Sequence, residues 1–123
     1  MKPQDDEPRL RLRLFFANGA MIGPGKADLL EVIRDTGSIS AAGRAMSMSY
    51  KRAWSLVEEM NTAFRTPLVE RARGGVKGGG AALSEAGETV LAHYRALERK
   101  AQEAGADEIA GIQALLSDMS DET

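Results

Sequence analysis

The chain has 123 residues and a mass of 13.2 kDa, the size of one domain. It carries 16 Lys+Arg against 18 Asp+Glu, so its net charge is −2 and its pI about 5.5, which taken alone argues against a simple basic nucleic-acid binder. The absence of Cys excludes disulfides, thiolate metal sites and thiol catalysis, and a single histidine, His93, makes a zinc centre or a His-based active site improbable. No cofactor and no metal are expected. Aromatics make up only 5% of the residues, so the core must be built from Leu, Ile, Val, Met and Ala. No apolar run approaches the roughly 20 residues of a membrane span. The N-terminus lacks a signal-peptide core and cleavage site, and the chain reads as cytoplasmic, with no membrane partner.

The first eight residues are polar, contain two prolines and read as disordered. Arg9 to Phe16 alternates polar and apolar at period two, the pattern of a half-buried strand with Arg9, Arg11 and Arg13 on its wet face. Ala17 to Gly25 reads as a turn region. A helix is predicted over Lys26–Asp35 on the stripe Leu29, Leu30, Val32 and Ile33, with Gly37 as its stop. Ser38 can cap a second helix, Ile39–Met46, and Ser49 a third, Tyr50–Phe64, across a break at Ser47-Met48. Ala53, Val57, Met60 and Phe64 share one face of the third helix, and Tyr50, Trp54 and Ser55 lie on others. Trp54 reads as a semi-buried packing residue. Past Pro67, Leu68–Ala72 and Ala81–Leu83 read as two strands of a hairpin around the glycine-rich loop 73–80.

Ser84 can cap a long helix with Glu85 and Glu88 in its first turn, where the dipole favours acids. Leu83, Gly87, Val90, Tyr94, Leu97, Ala101 and Ala104 recur at spacings of four and three, a weak heptad seam. Gly105 can end this helix. Ile109, Ile112, Leu115, Leu116 and Met119 suggest a last short helix before an acidic tail.

Charge is distributed unevenly along this order. Residues 1–43 are neutral, residues 44–79 carry +4 and residues 80–123 carry −6. A leading strand, three helices, a hairpin and a long helix is the order of a winged helix-turn-helix, in which the second helix of the turn enters the DNA major groove. Here the first turn of that helix presents Ser49, Tyr50, Lys51 and Arg52, side chains able to meet phosphates or base edges, at a helix N-terminus that favours anions. Arg73 and Lys77 flank glycines that let the backbone approach a phosphate or the minor groove. Neither glycine-rich stretch has the lysine-hydroxyl spacing of a nucleotide-binding phosphate loop.

The stretch GSISAAGRAMSMSYKRAWSLVEEMN, followed by LVERARGGVKGGGAALSEAG, resembles the N-terminal DNA-binding domain of the molybdate-responsive regulator family (ModE), a winged helix-turn-helix of LysR type. The resemblance runs from about Leu10 to Ala101. Its most specific pieces are Ser49-Tyr50-Lys51 with Ala53-Trp54, the triplet Glu59-Met60-Asn61, and Gly74-Gly75 before Gly78-Gly79-Gly80-Ala81. It implies a mainly α fold with a small β-hairpin wing and a long C-terminal dimerisation helix. The corresponding divisions are a disordered 1–8, a winged helix-turn-helix 9–83, a dimerisation helix 84–105, and a short helix with acidic tail 106–123.

The function implied is a homodimeric, sequence-specific transcription regulator bound to an inverted-repeat operator in double-stranded DNA. Ser49, Tyr50, Lys51, Arg52 and Ser55 are expected in the major groove. Ser38 and Ser40 are expected on backbone phosphates, and Arg73, Lys77, Gly78 and Gly79 in the wing. Val90, Tyr94, Leu97, Ala101 and Ala104 are expected at the dimer interface. Full-length family members continue into a molybdate-binding domain, for which no residues remain before Thr123, so molybdate binding is not expected of this chain alone. The competing reading is a protein-interaction module that dimerises with, or antagonises, a full-length relative. An enzyme is not expected, since no acid/base pair converges.

Overall fold

A computed structural model describes residues 7–72 and 80–117. The expected loop residues Arg73, Lys77, Gly78 and Gly79, and most of the presumed disordered N-terminus and acidic tail, lie outside the described residues. Among the described residues five helices follow one another: α1 (Pro24–Thr36), α2 (Ile39–Ala45), α3 (Tyr50–Ala63), α4 (Glu85–Ala104) and α5 (Ala106–Gln113). Two antiparallel hairpins accompany them, β1 (Leu14–Phe15) with β2 (Met21–Ile22) and β3 (Val69–Ala72) with β4 (Gly80–Leu83). The result is the mainly α fold with a small hairpin wing.

The predicted stripe builds the core. Leu29, Leu30 and Ile33 of α1 are fully buried, and α1 packs against α2, α3, α4 and β4. Ala53, Leu56, Val57 and Met60 of α3, Leu68, Leu83 and Leu91 join the same cluster. Each fully buried aliphatic side chain contributes roughly 1.5–3 kcal/mol from removal of apolar surface from water. The serine caps form as the residue types dictate. Ser38, Ser49 and Ser84 accept hydrogen bonds from the backbone N–H of Ala41, Arg52 and Gly87, each at 3.0 Å.

Three expectations change. The segment Arg9–Phe16 forms a ladder only at Leu14 and Phe15, which pair with Met21 and Ile22 inside the stretch expected to be a turn. The alternation is nevertheless real, because Leu10, Leu12 and Leu14 are half-buried and Arg9, Arg11 and Arg13 exposed. The backbone ahead of β1 is held by a helix rather than by a strand partner. Tyr94 of α4 donates its hydroxyl to the Leu12 carbonyl at 2.6 Å, and Gln102 accepts from Leu10 N–H at 2.9 Å and donates to the Pro8 carbonyl at 3.2 Å.

The heptad seam is the second change. Gly87 and Tyr94 face the chain's own core, and Tyr94 is only 3% exposed. A Cβ on Gly87 would lie 2.2 Å from the Leu68 carbonyl oxygen, so glycine is what lets α4 approach the wing strand. Val90 is half-buried against the core, and Leu97 and Ala104 are exposed. Third, α5 begins at Ala106 and ends at Gln113, with Leu115 and Leu116 beyond it.

A polar clamp fixes α4 on α1. Arg95 donates to Asp28 at 2.8 Å, to Glu31 at 2.7 Å and to Glu98 at 3.1 Å. Burial alone would lower the guanidinium pKa, but the three carboxylates outweigh it and raise it.

Candidate nucleic-acid interface

Two short helices meet at a tight joint because both contact points are small. A Cβ on Gly43 would sit 3.3 Å from the Cβ of Ala53, so α2 crosses α3 with almost no side-chain spacer. The chain turns between them at Ser47, whose φ of 58° is the left-handed region, and Met48 N–H returns to the Gly43 carbonyl at 2.9 Å. This joint sets the direction of α3.

With 100° per residue, Lys51, Ser55 and Glu58 project on the side of α3 opposite its buried Ala53, Leu56, Val57 and Met60. Tyr50, Lys51 and Arg52 are exposed, Ser55 is half-buried, and the first turn of α3 contains no acid. Cations and free N–H groups therefore share one helix end, an arrangement that suits a polyanion.

On the wing side of α3, a groove of about 240 Å³ opens between that helix and the β3–β4 hairpin. Ser38, Ser40, Tyr50, Trp54, Asn61 and Arg71 line it. The expected phosphate-contact pair Ser38 and Ser40 thus stands beside Tyr50 at one rim. Ser38 already caps α2, and Ser40 accepts from Arg44 at 2.9 Å. Ser55 instead borders a second hollow, with Asn18, Lys26 and Glu58 among its lining. The structure brings Ser38, Ser40 and Tyr50 together, puts Lys51 and Ser55 on the outer face, and leaves Arg52 nearer the far side.

Five contributors escape a reading by residue type. Asn61 accepts from Leu68 N–H at 2.8 Å and Val69 N–H at 3.1 Å and donates to the Val69 carbonyl at 3.1 Å, which ties α3 to the first wing strand. Arg71 is exposed on that strand and lines the groove, and Arg44 is exposed on α2, where it reaches Ser40. Trp54 is half-buried, as expected of a packing residue, but also donates its indole N–H to the Tyr50 hydroxyl. The Tyr50–Trp54 pair carries a sequence signal in its spacing of one helical turn, and Asn61 one in the triplet Glu59-Met60-Asn61, although neither signal gives the contact. Lys26, buried at the start of α1, donates to the Met21 carbonyl and pairs with Glu59, both at 3.1 Å, and so ties β2 and α3 to α1. Among the described residues no group of His, Cys, Asp and Glu is arranged to hold a metal ion, and no helix is long and apolar enough to cross a membrane.

The family model described as the bacterial regulatory helix-turn-helix protein, lysR family, matches residues 26–88, from the buried Lys26 of α1 into the first turn of α4. The molybdenum-pterin-binding protein MopB of Rhodobacter capsulatus is 44% identical over 99 residues, covering 80% of this chain and 33% of that protein. The molybdenum transport protein ModE of Azotobacter vinelandii is 39% identical over 94 residues, 76% of this chain and 35% of that protein. The DNA-binding transcriptional dual regulator ModE of Escherichia coli K12 is 41% identical over 81 residues, 66% of this chain and 31% of that protein. The chain spans about one third of the length of these curated relatives and matches their N-terminal region. With α2, its tight turn and α3 inside the matched residues, the chain belongs to the LysR family of bacterial regulatory helix-turn-helix proteins.

Proposed function

We propose that the chain is a sequence-specific, double-stranded-DNA-binding regulator of transcription that acts in the cytoplasm as a homodimer, on targets in molybdenum metabolism. The observation that carries this reading is the exposed, acid-free first turn of α3, with Lys51 and Arg52, set beside the groove shared with the wing hairpin. In this reading Ser49, Tyr50, Lys51, Arg52 and Ser55 meet the major groove, and Ser38 and Ser40 meet flanking phosphates. Arg73, Lys77, Gly78 and Gly79 contact the backbone or minor groove. The molybdenum link rests on the names of the relatives. Molybdate binding is not assigned to this chain, nor is any enzymatic reaction.

The dimer is assigned to a surface different from the full seam. Ile112 is 67% exposed, Leu115 87% and Leu116 66%, and they continue from exposed Leu97 and Ala104 and half-buried Ala101 at the end of α4. A second copy would cover this aliphatic surface. A full-length relative could cover it instead, the form the interaction-module reading takes.

Selection of bound duplexes from a random pool, with and without molybdate, tests the function. Enrichment of inverted half-sites about 10–10.5 bp apart is the expected result. With a net charge of −2, affinity for unselected duplex should stay weak. Failure to enrich any sequence, together with capture of a full-length relative by the same chain, would replace regulation at an operator with the interaction-module reading.

A further inference from the structure

Tyr50 opens α3 and Trp54 follows it by four residues, so the two side chains stack on one flank of the helix. Their rings meet edge to face, with centroids 6.4 Å apart and planes at 79°. The indole N–H of Trp54 donates to the phenolic oxygen of Tyr50. Trp54 is half-buried and packed against the core, which holds the donor in place, whereas Tyr50 is 57% exposed at the rim of the groove between α3 and the wing.

This arrangement has a chemical consequence. An indole N–H can only donate, and a phenol has one proton to donate and an oxygen that accepts. With the oxygen engaged by Trp54, the hydroxyl proton is what remains for a partner outside. Donation into the oxygen also polarises the O–H and strengthens it as a donor. We propose that Tyr50 is a one-way hydrogen-bond donor, aimed at an acceptor on DNA, and that Trp54 is the positioning residue that makes it so. The partner is a phosphate oxygen or an acceptor on a base edge, such as guanine O6 or N7 or thymine O4. An exocyclic amino group, itself a donor, is disfavoured at that position. The assignment rests on the DNA-binding reading and specifies the chemistry of one of its contacts.

The test is a double-mutant cycle on the selected duplex with Tyr50→Phe, Trp54→Phe and the pair. Each single variant should weaken binding roughly three- to tenfold, the range for one hydrogen bond, and the pair should be no weaker than the worse single variant. Additive losses would mean that Trp54 acts by packing alone and would overturn the proposal, as would an unchanged affinity of Tyr50→Phe. Trp54 is the single tryptophan of the chain, so its fluorescence reports on the free protein as well. Tyr50→Phe should change that emission before any DNA is added, and an unchanged spectrum also overturns the proposal, even if Trp54→Phe does not fold.

Methylphosphonate substitution at single phosphates, and 7-deazaguanine or base-pair replacement in the half-site, distinguish the two sources of the acceptor. The substitution that erases the difference between wild type and Tyr50→Phe identifies it. If none does, the donor role is overturned. A wild-type chain that binds its duplex with an additive cycle leaves the DNA-binding reading standing and removes only this assignment. A wild-type chain that enriches no duplex removes both.

Discussion

Two exposed surfaces of the molecule, the start of α3 and the end of α5, are opposites. The first turn of α3 offers a hydroxyl, an ammonium and a guanidinium on side chains that are at home in water, whereas the end of α5 and the turn just beyond it expose the aliphatic side chains of Ile112, Leu115 and Leu116. A charged surface can remain solvated and wait for a polyanion, and its affinity then varies with salt. An aliphatic surface of that kind is a standing cost in water until another apolar surface covers it. The contrast teaches that the chain carries two exposed surfaces of opposite chemistry, with α4, whose first half is packed into the core, between them in the chain.

The largest effect is expected where the two ends are joined. Gly87→Ala places a methyl against the Leu68 carbonyl and should cost roughly 3 kcal/mol in urea unfolding, because backbone must move. A loss below about 0.5 kcal/mol would mean that α4 sits farther from the wing than 2.2 Å implies.

Next in size, Leu116→Glu with Ile112→Glu should weaken self-association about a hundredfold in sedimentation equilibrium while leaving protomer unfolding nearly unchanged. An unaltered dimer would move the copy-to-copy surface away from α5. Lys51→Ala should weaken operator binding roughly tenfold and lower the salt slope by about one unit if it meets a phosphate. Loss of affinity with an unchanged slope would reassign it to a neutral contact.

The smallest expected effect is at Tyr94→Phe, about 1 kcal/mol for the lost bond to Leu12. Burial, then the Glu98 carboxylate, raises the Tyr94 pKa above its ordinary 10.0. The folded state therefore holds the proton more tightly than the unfolded one. The stability this adds is complete below pH 10 and is lost as pH rises through the folded value. Thermal melts of wild type should fall faster than those of Tyr94→Phe in that alkaline window, and parallel curves would place the hydroxyl in solvent.

Much of the helical framework is legible residue by residue. Ser38, Ser49 and Ser84 cap the helices they precede, since a short hydroxyl beside free N–H groups needs no distant partner. The buried stripe on α1 follows from helical spacing, and so does most of the stripe on α3. Less legible is the identity of whatever covers an apolar stripe. Period two from Leu10 to Leu14 correctly marks one-sided burial, yet the side chains that hold the segment's backbone, Tyr94 and Gln102, lie more than 80 positions away. The seam through Gly87 and Tyr94 has the spacing of a helix-to-helix interface, but half of it lies against Leu68 and the N-terminal segment of the same chain. Asn61 reads as one more polar residue near a helix end until β3 is folded against it.

The sequence by itself determined the helices, the starts of the three that serines cap and the basic first turn of α3, because caps, spacing and local charge are set within a few residues. It also determined the family, through ordered motifs along more than half the chain. Only the tertiary structure decided which face of α4 is internal, how the N-terminal segment is covered, and how Asn61, Trp54 and Tyr50 come to frame one groove. The physical reason is that periodicity records that a side must be hidden from water, while the surface that hides it is chosen by contacts between residues far apart in the chain.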